Sequence, residues 1–342
     1  MVHLQPVAPA PHGGACALRY IYARMQVLLT FDVEIWCGGW NALDANFPGS
    51  FSRYVYGHSK NGSYALPKTL EILDRHDLKG IFFVEPLFAA RFGIQHLKTI
   101  VALILDSGHD VQLHLHPEWT DEISPPPLSN VAAKRQLLSY YSLDEQTKLV
   151  RLSLELVDAA GASRPTAFRA GSFAANIDTF TALRANDILL DFSIDSTVPV
   201  SVAELRDGRD LVSPQVIDGV LSLPMAVFKD GFGSYRHAQL GACSADEMIE
   251  AIEGAATAGW SEFVVLSHNF EMLKLGSSAP NTIVVNRFER LCDYLDRHSE
   301  RLGTTDISGL SLGPVRPYGS LPQVSKFATL RRHVEQALQR LT

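Results

Sequence analysis

The chain has 342 residues, 46% of them hydrophobic and 20% charged, with a formal net charge of −7 at pH 7. A polypeptide of this size and composition buries one large core or two ordinary ones. The charge carries no basic block and no apolar run reaches the length of a membrane span, so neither nucleic acid nor a membrane is an expected partner. Cys16, Cys37, Cys243 and Cys292 form no Cys-x-x-Cys pair and read as reduced structural thiols, in keeping with a cytoplasmic protein.

Residues 1–24 hold Pro6, Pro9, Pro11, Gly13 and Gly14 without an apolar core, which predicts a disordered leader and a poor secretory signal. Met25 stands directly before the first strand and could equally be the true start. Residues 25–30 are a continuous apolar strand. A helix follows over 67–76, with Pro67 suited to its first turn, and then the strand Ile81-Phe82-Phe83-Val84. Residues 94–106 are helical and lead through Gly108 and His109, a turn residue, into the strand Val111-Gln112-Leu113-His114-Leu115-His116. The segment 118–130, with Pro125, Pro126 and Pro127, predicts a stiff lid or rim. Helices over 143–160, 177–185, 245–258 and 286–298 alternate with strands over 166–169, 189–193 and 262–267. Repeated βα units with buried apolar strands predict an α/β fold with a mostly parallel sheet, open or closed into a barrel. One domain over 25–310 is expected, followed by an extension, 311–342, whose Arg/Gln/Leu-rich end is an amphipathic surface helix or packing arm.

In parallel α/β folds, ligands collect at the carboxyl ends of the strands. His114 and His116 lie two apart, so both imidazoles share one face of their strand, an arrangement suited to a divalent metal. The other strand ends carry Thr30-Phe31-Asp32-Val33-Glu34, Phe168-Arg169-Ala170-Gly171-Ser172-Phe173, Asp195-Ser196-Thr197 and Leu266-Ser267-His268. Asp32 and Glu34 share a face by the same two-residue rule. Trp36, Trp40 and Trp119 lie near these segments and could stack on a sugar ring or other flat substrate.

These segments, in this order, resemble the five motifs of the polysaccharide deacetylases, the NodB-homology or carbohydrate esterase family 4 group, across about residues 25–300. Thr30-Phe31-Asp32 is similar to the first motif, Gly108-His109-Asp110-Val111 to the lead into the second, and Arg169 to Phe173 loosely to the third. Asp195-Ser196 and Leu266-Ser267-His268 are similar to the fourth and fifth. The resemblance implies a distorted (β/α) barrel and hydrolysis of a C–N bond that is not a peptide bond. An N-acetylated sugar or glycan precursor is the default substrate. A small cyclic imide or ureide, and an inactive carbohydrate-binding relative, are the alternatives. It implies Asp32 as base, Glu34 as carboxylate ligand and His268 as general acid. Arg169 would fix Asp32, and Asp195 would orient His268 or hold the loop around it. Trp36, Trp119 and Phe173 are the expected substrate contacts. Two departures stand out: Val33 occupies the second aspartate position of motif one, and the residue four after His114 is Glu118. The third ligand is therefore His116 by strand geometry, or Glu118 by family spacing. The expected metal is zinc, with cobalt or nickel also suited to these ligands. Zinc held by one carboxylate and two imidazoles leaves an open position for a water whose pKa falls to about 7. A homo-oligomer remains open.

Overall fold

The computed structural model describes residues 24–129, 133–199, 205, 211–312 and 315–341. The expected leader, apart from Arg24, lies outside the described residues, as does Cys16.

Strand β1 (Met25–Val33) is the hub of the main sheet. It pairs in parallel with β12 (Glu262–His268) on one side and β4 (Gly80–Val84) on the other, and briefly with β13 (Leu302–Gly303). From β4 the sheet continues through β5 (Asp110–Leu115), β6 (Ala167–Ala170) and β7 (Leu190–Asp191) to a hairpin of β8 (Gln215–Ile217) and β9 (Val220–Ser222). Only the β8–β9 pairing within this sheet is antiparallel. Two further hairpins stand apart, β2 (His58–Ser59) with β3 (Gly62–Ser63), and β10 (Val227–Lys229) with β11 (Tyr235–His237).

The distortion of the expected barrel lies in its closure: among the described residues no continuous ladder closes the sheet, and β12 and β8 lie at opposite ends of the strand order. Residues 223–226 span the gap instead. Leu223 N donates to Asp191 O at 2.8 Å, Met225 N to Ile194 O at 2.8 Å and Ala226 N to Val264 O at 3.2 Å. Pro224 sits within this stretch and has no N–H to extend a ladder, which explains the irregular bridging.

Alternation along the strands divides the core in two. Leu28, Ile81, Phe83, Ala167, Phe192, Met225, Val264 and Leu266 fill the inside of the curled sheet. Val27, Leu29, Phe31, Phe82 and Leu113 face outward, into the layer of covering helices. Those helices begin where their caps dictate: Ser142 with Glu145, and Ser244 with Glu247, form reciprocal capping boxes for Leu143–Ala159 and Ala245–Thr257. The helix Leu43–Phe51 was not legible in the sequence, since it contains Pro48 and starts after Ala42 in a left-handed conformation, φ 57°. The C-terminal helix Lys326–Leu341 is anchored by Arg332, whose guanidinium reaches Glu247 at 3.0 Å and Asp230 at 3.2 Å, and by Glu335 against Arg287 at 2.8 Å. Among the described residues, no helix is long and apolar enough to cross a membrane.

Candidate metal and hydrolytic site

The carboxyl ends of β1, β5, β6 and β12 meet at one point. Val33 turns into the outer core, so Asp32 and Glu34 both face the opposite side. Strand β5 brings His114 to the same side, and His116 follows at the end of the strand, where Pro117 turns the chain into a short 3₁₀ segment, Pro117–Glu122. His114 Nε2 lies 2.9 Å, and His116 Nε2 3.0 Å, from the same oxygen of Glu34, Oε1.

The far nitrogens of the two rings fix their tautomers. His114 Nδ1 faces the carbonyl of Arg169 at 2.8 Å and must donate to it. His116 Nδ1 faces both oxygens of Glu118 at 3.3 Å. With those protons placed, a neutral ring at either position turns an Nε2 lone pair toward a carboxylate oxygen that only accepts. Three acceptors converging in a buried space could hold a cation among them, and the donor set of one carboxylate and two imidazoles suits a divalent ion. A proton can stand in the same place: desolvation opposes charge on both groups, yet Glu34 and Glu118 hold His116 well above its ordinary range, and His116 with His114 holds Glu34 well below. Glu118 lies on the Nδ1 side of His116, away from the Nε2 atom that faces Glu34.

Trp36 donates its indole N–H to the second oxygen of Glu34 at 2.6 Å, and its ring meets His116 edge-on at 4.9 Å. Asn269 clamps the Glu34 backbone from both sides, accepting from its N–H and donating to its carbonyl, each at 3.1 Å. Gly171 is required by the same ring packing. A Cβ there would lie 2.7 Å from His116 Cε1, inside contact distance. The following Ser172 and Phe173 hold left-handed φ values of 55° and 56°, a tight turn that carries the chain past the site.

Asp32 Oδ1 accepts from Arg169 Nη1 at 2.6 Å, while Oδ2 lies 3.9 Å from His114 Nε2. Arg169 is fully buried and uses its other donors on Thr30 Oγ1 at 2.7 Å and the Phe192 carbonyl at 3.2 Å, with its plane over Phe83. His268 is the register partner of Asp32 on the neighbouring strand, and its Nε2 lies 4.0 Å from Glu34 Oε1.

Two expectations need revision. Asp195 does not touch His268: it pairs with His237 at 2.7 Å and Thr197 at 2.7 Å. Glu271 holds His268 instead, facing Nδ1 at 2.9 Å, because it lies one turn beyond the strand end. Asp195 reaches that carboxylate only through His237 and Gln239, which bonds His237 at 2.9 Å and Glu271 at 2.5 Å. Desolvation opposes charge on His268, but Glu271 and Glu34 raise its pKa to about 9. Trp119 is the second revision. It is 1% exposed, packed against Trp40 and Phe92, because the 3₁₀ segment turns it inward, so it is core and not a stacking surface. Phe173 is half-buried against the inner core, and Trp36 remains partly exposed beside the ligands. His109 accepts from Gly80 N at 3.3 Å, away from the ligand cluster.

Glu271, Asn269, Gly171 and the buried Glu85 were missed from sequence. Glu271 follows His268 by three residues and Asn269 by one, spacings that mark a turn after a strand and could have flagged them. Glu85 directly follows β4, accepts from Leu87 N at 2.8 Å, and is pushed by burial to about 8.

No family model matches the sequence, and no curated protein matches it. The fold, however, is shared with a Mycobacterium smegmatis structure provisionally described as a polysaccharide deacetylase, with a TM-score of 0.56 and 18% identity over 92% of this chain and 99% of that one. A family 4 carbohydrate esterase from Streptomyces lividans superposes more loosely, with a TM-score of 0.42 and 13% identity over 85% of this chain and 98% of that one. The motif resemblance thus extends to the architecture, a mostly parallel α/β sheet of the NodB type.

Proposed function

We propose that this chain is a metal-dependent deacetylase, hydrolysing the acetamido C–N bond of an N-acetylated sugar or glycan precursor. The observation that carries this reading is the meeting of His114 Nε2 and His116 Nε2 on Glu34 Oε1, with Asp32 and His268 on either side. Glu34, His114 and His116 would hold a divalent cation, zinc being the best match to the donors. When bound, such an ion polarises the substrate carbonyl and lowers the pKa of a coordinated water.

The protein's own groups divide the proton work. Arg169 takes one oxygen of Asp32 and leaves Oδ2 facing the ligands, so this carboxylate is aimed to accept the proton of the attacking water. Because Arg169 is itself fixed by Thr30 and the Phe192 carbonyl, the base has little freedom to turn away. His268, protonated near neutral pH, carries a proton on Nε2 for the departing amine, while Glu271 fixes the ring from Nδ1. The register pairing of Asp32 with His268 sets base and acid on adjacent strands, as addition and departure at one carbon require. Trp36 and Phe173 would border the substrate, and Asp195 would steady the loop behind Glu271 through His237 and Gln239.

Acetate release from N-acetylglucosamine oligomers, run beside a cyclic imide and with metal content measured on the same sample, tests the reading. Acetate release that tracks a bound ion supports it. Turnover of the imide alone would move the substrate outside the sugars, and a metal-free, inactive wild type would reject the enzyme.

A further inference from the structure

The C-terminal helix Lys326–Leu341 is docked the wrong way round for an ordinary surface helix, which buries its apolar stripe and exposes its polar one. Here Ala328, Thr329 and Arg332 face the body, while Phe327, Leu330, Val334 and Leu338 stand between 49% and 74% exposed. Their spacing of three, four and four residues makes them one continuous stripe. The tip of the β10–β11 hairpin lies beside it: Gly231 N donates to Thr329 Oγ1 at 2.9 Å, and Phe232 and Tyr235 are 59% and 61% exposed. Lys229, Lys326, His333 and Arg340 lie along this region, and none has an ion pair among the described residues, whereas Arg331 and Arg332 are paired to carboxylates of the body.

We propose that this face docks on an anionic bilayer surface, with the stripe and the two hairpin aromatics entering the headgroup boundary and the cations meeting lipid phosphates. Aromatic and aliphatic side chains flanked by lysine and arginine on a helix lying flat are the composition that such a boundary binds. The same charges argue against a second copy of the helix as the occupant. On a heptad with Phe327, Leu330, Val334 and Ala337 along the seam, the flanking positions hold Lys326, Arg331, His333 and Arg340, with Leu338 the one apolar residue among them. A self-pair would set like charges together in either orientation. The net charge of −7 conceals this local excess of cations.

Sedimentation of the full chain with vesicles tests the proposal. Binding is expected to vesicles of phosphatidylcholine containing about one third phosphatidylglycerol, and not to phosphatidylcholine alone. It should weaken by about tenfold or more in Phe327→Ser/Leu330→Ser, in Lys326→Glu, and when salt compresses the Debye length to about 3 Å. Thermal melting and metal content should not change in these variants, since the altered side chains are exposed. Absence of binding to the anionic vesicles, or equal binding to the neutral ones, would overturn the proposal. So would a wild-type dimer that Phe327→Ser/Leu330→Ser dissociates, which would assign the face to a second copy.

Discussion

Two clusters of buried charge lie at different places in this molecule, and they are built on opposite principles. Under the C-terminal helix, Arg332 meets Glu247 and Asp230, so donors face acceptors. At the carboxyl ends of β1 and β5, two imidazole nitrogens aim at one carboxylate oxygen, and with neutral rings acceptors would face an acceptor. The first cluster is complete as folded. On the proposed reading, the second would take up a further cation, which would separate a site from an internal strut. Burial alone would not tell them apart, and neither would the number of charged groups. The discriminating feature is which atoms carry protons.

Substitutions can break or sharpen that contrast. The largest effect is expected from His114→Ala, which removes one converging lone pair: elemental analysis should find bound metal at background and acetate release should vanish. Asp32→Asn keeps all three converging atoms, so metal should remain while hydrolysis falls by about 10²- to 10⁴-fold. Loss of metal in this variant would instead make Asp32 a ligand and exchange its role with Glu34. Arg332→Met strands Asp230 and Glu247 in the other cluster and should cost about 3–5 kcal/mol in chemical denaturation. Metal affinity in the folded fraction should not move. Glu118→Gln weakens the support behind His116, and titration with a competing chelator should find metal affinity lower by about 10- to 100-fold. The smallest effect is expected from Glu271→Gln. Because Glu271 raises the His268 pKa, removing its charge lets the acid deprotonate at lower pH, so the alkaline limb of the activity profile should move downward. An unmoved limb would separate His268 from proton donation.

Much of this was legible in the sequence for a simple reason. Alternation along a strand is strict, so His114 and His116, and Asp32 and Glu34, could be set on one face before any contact was known. The strand-and-helix order was legible for the same reason, since buried parallel strands and capped amphipathic helices leave periodic traces. What stayed hidden depends on loops. Pro117 bends the chain so that Trp119 enters the core, and no periodicity forecasts that turn. Glu271 replaces Asp195 beside His268 because a turn after β12 brings it there, and Asp195 lies with His237 across a hairpin that carries no strong pattern. The irregular bridging by residues 223–226, which include Pro224, likewise left no periodic trace in the sequence.

On the proposed reading, the indole of Trp36 would bear on which ion Glu34 and the two histidines hold. By holding Glu34 Oε2 at 2.6 Å, it leaves that carboxylate a single inward oxygen. Calcium favours several oxygen ligands, often with both oxygens of a carboxylate, and magnesium demands an octahedral shell rich in oxygen and water. One Glu34 oxygen between two imidazole nitrogens would suit neither well, and would better match the low coordination number and nitrogen affinity of zinc. On the proposed reading, a tryptophan at the rim acts as a filter against the alkaline-earth ions without touching any ion itself.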